Sequence, residues 1–253
     1  MTLEGKTAVV TGAARGIGHA YCQRLAADGA NVVAVDINDP TDSIADLSGV
    51  GKKMGLVCDI SQPEQIDTVR KVVNDSFGRC DILVNNAAIF PYTNLDDVTI
   101  QVWRKVQATN VDAVLLFAKA FAPGMRDAGW GRIVNTGSSL TLGQTRDLLA
   151  YMTSKGAVHA LTRALANELG DSGVTVNSIA PSMVATEGVL DRPQETGTSN
   201  EEQVTLISSM QTIKRRVVPA DLANALAFLV SDEADLITGQ ILHVDGGLSR
   251  SGA

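Results

Sequence analysis

Few cysteines, few histidines and no long apolar or basic run set limits on this 253-residue chain before any motif is read. Cys22, Cys58 and Cys80 are odd in number and far apart, which leaves no disulfide framework and no zinc ribbon; they read as reduced core residues. His19, His159 and His243 show no ligand spacing and lie far from the cysteines, so no metal site is expected. Redox chemistry would then need an organic cofactor. The longest apolar stretches, such as residues 113–118, fall well short of the roughly 18 residues that a membrane span requires. The N-terminal MTLEGKTAVVTG has no charged start, long apolar segment or small-residue cleavage site, and the expectation is a cytoplasmic protein. No basic run is longer than Lys214, Arg215 and Arg216, and the net charge is -7. Nonspecific binding to nucleic acid or anionic lipid needs a concentrated basic face, so neither partner is expected.

What is present is ordinary globular composition, 45% hydrophobic and 19% charged, in a chain long enough for a sizeable core. Short β-rich apolar runs alternate with helix-length segments: TAVV at 7, NVVAV at 31, GLVC at 55, DILVN at 81, RIVN at 132, VTVNSI at 174 and ILHV at 241. That alternation predicts βαβ units and a single doubly wound α/β domain over 1–253, with a seven-stranded parallel sheet covered by helices on both faces. In the first helix Ile17, Ala20, Tyr21 and Leu25 repeat at helical spacing, and Gly29 stands where a left-handed cap belongs. From Glu187 to Asn200 the sequence EGVLDRPQETGTSN is rich in turn formers, which predicts a mobile loop and a substrate lid around 187–212.

VVTGAARGIG passes from a strand into the first helix with Gly12, Gly16 and Gly18 spaced G-x-x-x-G-x-G. Such glycines permit a tight turn, and the helix start directs N–H groups and partial positive charge at a pyrophosphate. Asp36 ends the second strand, near the offset where a carboxylate accepts hydrogen bonds from the adenosine ribose. A 2'-phosphate there would meet a negative charge, so NAD is favoured over NADP. Arg15 points the other way, because a basic residue in the turn can pair with that phosphate. Asp59 closes the third strand and NNAA, residues 85–88, the fourth, so polar groups gather at the carboxyl edge where ligands bind in open α/β sheets.

AYMTSK, residues 150–155, places Tyr151 four positions before Lys155 on one helical face. A free phenol is a poor base at neutral pH. A neighbouring ammonium favours the phenolate, which gives the pair a use beyond packing.

Taken in order, TGAARGIG, Asp59, NNAA, Asn110, Ser138 in NTGSS, YMTSK, NSIAPSMVAT and ITGQILHVDGG resemble the short-chain dehydrogenase/reductases over essentially the whole chain. The resemblance implies a catalytic set of Asn110, Ser138, Tyr151 and Lys155. Asn110 would help order a relay water, Tyr151 act as acid/base, Lys155 support it and bond the nicotinamide ribose, and Ser138 orient the substrate oxygen. Ser139 is the rival for the serine role, and Ser138 has the family's spacing of thirteen residues before the tyrosine. The implied cofactor site adds Ile17, Ile60, Asn86, Ala87, Val184 and Thr186 to Gly12, Arg15, Gly16, Gly18, Asp36 and Asp59. Leu140, Ser182 and Met183 join Ser138 and Tyr151 around the substrate, with Phe90 and Leu148 nearby. Ala88 and Ser182 stand where relatives usually carry glycine, and Ser182 reshapes the pocket beside the nicotinamide. Trp103 and Trp130 read as packing anchors.

The implied function is NAD-dependent interconversion of a secondary alcohol and a ketone, with an apolar, aromatic or cyclic small-molecule substrate. GRCDILVNNAAIFPYTNLDD and PGMRDAGWGRIVN resemble dehydrogenases of aromatic secondary alcohols of the 1-phenylethanol kind. Two alternatives stand beside it: an NADPH-dependent 3-oxoacyl-carrier-protein reductase, using Lys214, Arg215 and Arg216 as a carrier patch, and a non-catalytic NAD-binding regulatory protein. A homotetramer is expected by resemblance, with Ala157, Ala160, Ala164 and Ala166 permitting close helix packing.

Overall fold

A computed structural model describes residues 2–143, 146–191 and 198–249. Seven strands, β1 (Thr7–Thr11), β2 (Asn31–Asp36), β3 (Lys53–Val57), β4 (Ile82–Asn85), β5 (Gly131–Thr136), β6 (Val174–Pro181) and β7 (Ile241–Val244), coincide with the seven apolar runs. They form one parallel sheet in the order β3-β2-β1-β4-β5-β6-β7. Between them run helices α1 (Gly16–Ala27), α2 (Thr41–Ala45), α3 (Pro63–Phe77), α4 (Ile100–Gln107), α5 (Ala113–Asp127), α6 (Leu149–Leu169), α7 (Glu187–Leu190), α8 (Asn200–Met210) and α9 (Pro219–Leu229).

Alternation along the strands divides the core. Ala8 and Val10 of β1 pack with Tyr21 and Leu25 of α1 and Leu222 and Leu226 of α9. Val9, between them, joins Val69 of α3, Phe117 and Phe121 of α5 and Leu169 of α6 on the other face. Because both faces are covered, the central strands are buried at every residue, which is why they read as continuous apolar runs. α1 ends as its sequence implies: Gly29 has φ +98°, and its N–H bonds back to Ala26 O at 3.0 Å.

β1 and β4 are neighbours in the sheet, although β2 and β3 separate them in the chain. Connections leave this point in opposite directions, opening a crevice beyond the carboxyl ends of β1 and β4. Over 187–191 and 198–212 the backbone is more regular than the composition implies. α7 is capped by Thr186, and α8 opens with a reciprocal capping box between Ser199 and Glu202 and buries Val204. Residues 192–197 of the expected loop lie outside the described residues.

Candidate active site

A cavity of about 780 Å³ runs along the crevice, bounded at one end by Asp36 and Asn38 and at the other by Ser138, Tyr151 and Lys155. Its floor at the first end is the glycine turn. Gly12 and Gly16 have φ of +66° and +61°. A Cβ on Gly12 would come within 2.8 Å of Ala87 Cα, and one on Gly18 within 2.0 Å of Gly12 O. The turn is thus drawn against β4 closely enough to exclude side chains, and no side chain caps the first turn of α1. Asn86 locks this arrangement by donating to Thr11 O at 3.0 Å and Gly12 O at 3.2 Å.

Asp36 stands at the rim. Its Oδ2 accepts the Ala14 N–H at 3.0 Å and its Oδ1 the Asn38 N–H at 3.0 Å, which aims the carboxylate across the turn. Arg15 also lines the cavity, with its guanidinium 3.3 Å from where a Gly188 Cβ would lie, so it reaches toward α7. Asp59 and Ile60 continue the wall. Ser61 donates to Asp59 through N–H and hydroxyl, and these bonds hold the carboxyl of Asp59 below its ordinary range.

At the far end α6 brings Tyr151 and Lys155 onto one face beside β5. Lys155 Nζ donates to Thr136 O at 2.6 Å and lies 5.7 Å from the centre of the Tyr151 ring. The Ser138 side chain lies beside the Tyr151 phenol and favours its ionised form. Ser138 Oγ also accepts the Leu140 N–H at 3.2 Å. Ser138 lines the cavity; Ser139 is buried with its hydroxyl unpartnered and is not on the wall. Burial raises the Tyr151 phenol above its ordinary value, against the lowering effect of the Ser138 side chain. Burial also brings the Lys155 ammonium down to about 8. Each ionised form is costly alone in this apolar setting, and each offsets the other when both are present.

Asn110 does not reach the cavity. It lies in a π-helical segment, Ala108–Asp112, between α4 and α5. Its Oδ1 accepts the Ile89 N–H at 2.9 Å, and its Nδ2 donates to Ile89 O at 2.8 Å and Ser154 Oγ at 3.0 Å. Ser154 in turn donates to Tyr151 O at 2.7 Å, so Asn110 ties the strap after β4 to the tyrosine's own turn of helix. Gly16 and Thr186 pack on each other, Thr186 Cγ2 lying 3.4 Å from a Gly16 Cβ position, and Gly18 is buried beneath; none of these three lines the cavity. Ile17, Asn86, Ala87, Leu140, Ser182, Met183 and Val184 all do.

The structure adds wall residues that the sequence reading did not single out: Tyr92, Val189, Leu248 and, from α8, Gln203, Leu206 and Ile207. The α8 contribution had a local signal in the S-x-x-E capping box at 199–202. Tyr92 and Leu248 had none. Phe90 meets Tyr151 with ring centres 5.9 Å apart, tilted at 60°. Trp130 is an anchor, with Lys6 and Arg132 near its ring and its Nε1 donating to Asp232 at 3.1 Å.

The arrangement combines a close-packed glycine turn, a rim carboxylate and a phenol–ammonium–hydroxyl cluster at the end of one elongated cavity. Residues 12–249 match the family model described as enoyl-(acyl carrier protein) reductase. Among similar proteins, the 3-oxoacyl-[acyl-carrier-protein] reductase of Vibrio cholerae is 37% identical over 98% of this chain and 99% of its own. The meso-2,3-butanediol dehydrogenase of Serratia marcescens is 34% identical over 99% and 97% respectively. A crystal structure from Beutenbergia cavernae, described as an NAD(P)-dependent gluconate 5-dehydrogenase with NADP bound at low occupancy, superposes with a TM-score of 0.89 at 35% identity, covering 98% of each chain.

Proposed function

The chain belongs to the short-chain dehydrogenase/reductase family and is an NAD(P)-dependent oxidoreductase of CH–OH groups, and from that premise we propose that it uses NAD to interconvert an apolar secondary alcohol and its ketone. The observation that carries this reading is the convergence of Ser138, Tyr151 and Lys155 at one end of a cavity whose other end presents Asp36 beside the glycine turn.

The turn fits a dinucleotide. Gly12 and Gly18 leave no room for side chains at the point of closest approach, and the uncapped first turn of α1 offers N–H groups to a pyrophosphate. Asp36 would accept hydrogen bonds from the adenosine ribose hydroxyls and repel a 2'-phosphate, while Asp59, Ile60, Asn86, Ala87 and Val184 complete the cradle, with Thr186 packed behind the turn on Gly16. Bound NAD supplies the acceptor for the hydride that leaves the carbinol carbon.

The chain's own groups handle the proton and the geometry. Ser138 holds the alcohol oxygen, and the Tyr151 phenolate takes the hydroxyl proton as the carbon–oxygen double bond forms. Lys155 stabilises that phenolate. In the reverse direction Tyr151 returns the proton and Ser138 stabilises negative charge developing on the carbonyl oxygen. Phe90, Leu140, Leu148, Met183 and Leu206 surround this end, which supports an apolar, aromatic or cyclic substrate, with alcohols of the 1-phenylethanol kind as the first to try.

The NADPH-dependent 3-oxoacyl-carrier reading draws support from the Vibrio relative, the NADP-bound neighbour and Arg15 at the rim. Against it, the cations of the 214–216 patch are already engaged. Arg215 pairs twice with Asp221 at 2.7 Å, Arg216 pairs with Glu201 at 2.6 Å, and Lys214 donates to Ser209 O at 2.8 Å.

An NAD- and NADP-reduction screen over aliphatic, aromatic, sugar and steroid alcohols tests the proposal. The expected result is at least tenfold higher kcat/KM with NAD, best rates on cyclic or aromatic secondary alcohols, and a narrowed preference in Asp36→Ala. Tyr151→Phe should lose nearly all turnover while binding NAD about as well as the parent. Strong NADP preference with reduction of acyl thioesters would replace this reading, and tight NAD binding without any turnover would favour the regulatory alternative.

A further inference from the structure

His159 lies on α6 one turn beyond Lys155, buried and off the cavity wall, against the back of the loop that carries Ser138. Its Nε2 accepts the Ser138 N–H at 3.4 Å, and its Nδ1 lies 3.4 Å from Thr141 Oγ1. The Thr141 hydroxyl donates to Ser138 O at 2.9 Å. With its proton committed there, Thr141 Oγ1 is left to accept, so Nδ1 must be the protonated ring nitrogen and Nε2 the bare one. The result is a closed circuit: Ser138 N–H to Nε2, Nδ1–H to Thr141 Oγ1, and Thr141 O–H back to Ser138 O. Both ring contacts are at the long end of hydrogen-bonding distance, but the approach is sterically prepared. A Cβ on Gly137 would lie 2.1 Å from His159 Nε2, so only glycine lets the imidazole reach the main chain here.

We propose that His159 is a positioning residue, which in its neutral Nδ1–H tautomer holds the Ser138 N–H directly and the Ser138 C=O through Thr141, and so aims the Ser138 hydroxyl at Tyr151 and the substrate oxygen. The inference rests on the role assigned to Ser138 above. The surroundings keep the ring neutral. Burial, with His243 of β7 and Lys155 and Arg163 of α6 nearby, lowers the imidazole to about 4. Ser178 of β6, which faces the same Gly137 position, carries no charge. A second ring proton would set Nε2–H against the Ser138 N–H and open the circuit.

Two measurements test this. Long-range 1H–15N NMR of the imidazole at pH 7 should give Nδ1 protonated and Nε2 bare; the opposite tautomer would overturn the proposal whatever the enzyme's substrate. Kinetics then use the best alcohol from the screen. His159→Leu should lower kcat at least tenfold with KM for NAD within twofold and cooperative unfolding retained. His159→Gln, which offers one acceptor and one donor, should recover most of that loss. Thr141→Val should act in the same direction, and its combination with His159→Leu should be no worse than His159→Leu alone. Wild-type kcat in His159→Leu, or additive losses in the double variant, would refute the positioning role. Should His159→Leu fail to fold, His159→Gln and Thr141→Val decide, since unchanged kcat in Thr141→Val counts against the circuit. Ser138→Ala separates the two readings: if it retains activity, the assigned serine role fails; if it is inactive while His159→Leu is not, only this inference fails.

Discussion

At the scale of single residues, burial makes the catalytic pair both useful and costly. Lys155 is 3% exposed, and its ammonium is lowered from 10.5 to about 8 because the surroundings are apolar. A base whose folded value is depressed binds fewer protons folded than unfolded between those two values, so stability rises with pH across about 8 to 10.5. Below about 8 the full penalty applies, on the order of 3 kcal/mol. Lys155→Met removes it but leaves Thr136 O without its 2.6 Å donor, a loss of about 1–2 kcal/mol. The expected outcome at pH 7 is a variant about 1–2 kcal/mol more stable in urea unfolding and almost inactive. A destabilised Lys155→Met would mean that the ammonium is not held at a net cost. The sequence predicts that the ammonium and the oxidised nicotinamide together acidify Tyr151, and among the chain's own groups burial has the larger effect on the phenol.

Among elements, the π-helical segment Ala108–Asp112 shows what a local pattern conceals. Its residues look like a continuation of the helix into α5, yet the Ala113 N–H bonds Ala108 O, five residues back, and Asn110 is turned to the strap at Ile89. Asn110→Ala would strand the Ile89 N–H and C=O together with one partner of Ser154. We expect about 2–3 kcal/mol of lost stability by denaturant unfolding. Amide exchange should accelerate at residues 87–91 and kcat should fall. Exchange unchanged at 87–91 would argue that the strap is held by other contacts. α8 carries the complementary lesson. Within the lid expected over 187–212, residues 200–210 form a helix whose Leu206 and Ile207 line the cavity, and its periodicity is weak because its apolar positions serve a cavity wall and leave only Val204 buried.

For the whole molecule, the expected homotetramer is a prediction about surfaces. β7 is an edge strand with Leu242 exposed on it, and Phe228 of α9 is exposed as well. Of the four alanines on α6, Ala160 and Ala164 are exposed and available for close packing, Ala157 is half-buried, and Ala166 faces the core instead. Light scattering at micromolar concentration should give four times the 26.6 kDa chain mass; a monomer would refute the expectation. The sequence by itself determined the seven strands, the doubly wound class and the identities gathered at the carboxyl edge. Each of these is written in short-range periodicity, in glycine spacing and in which residue ends a strand. Only the tertiary structure decided that Asn110 turns to the strap at Ile89 and stays off the cavity wall, that burial raises the phenol, and that an imidazole 21 positions along the chain closes on the serine's main chain. Those outcomes depend on distances between elements and on how much water is excluded between them. Neither quantity exists until the helices have packed on the sheet.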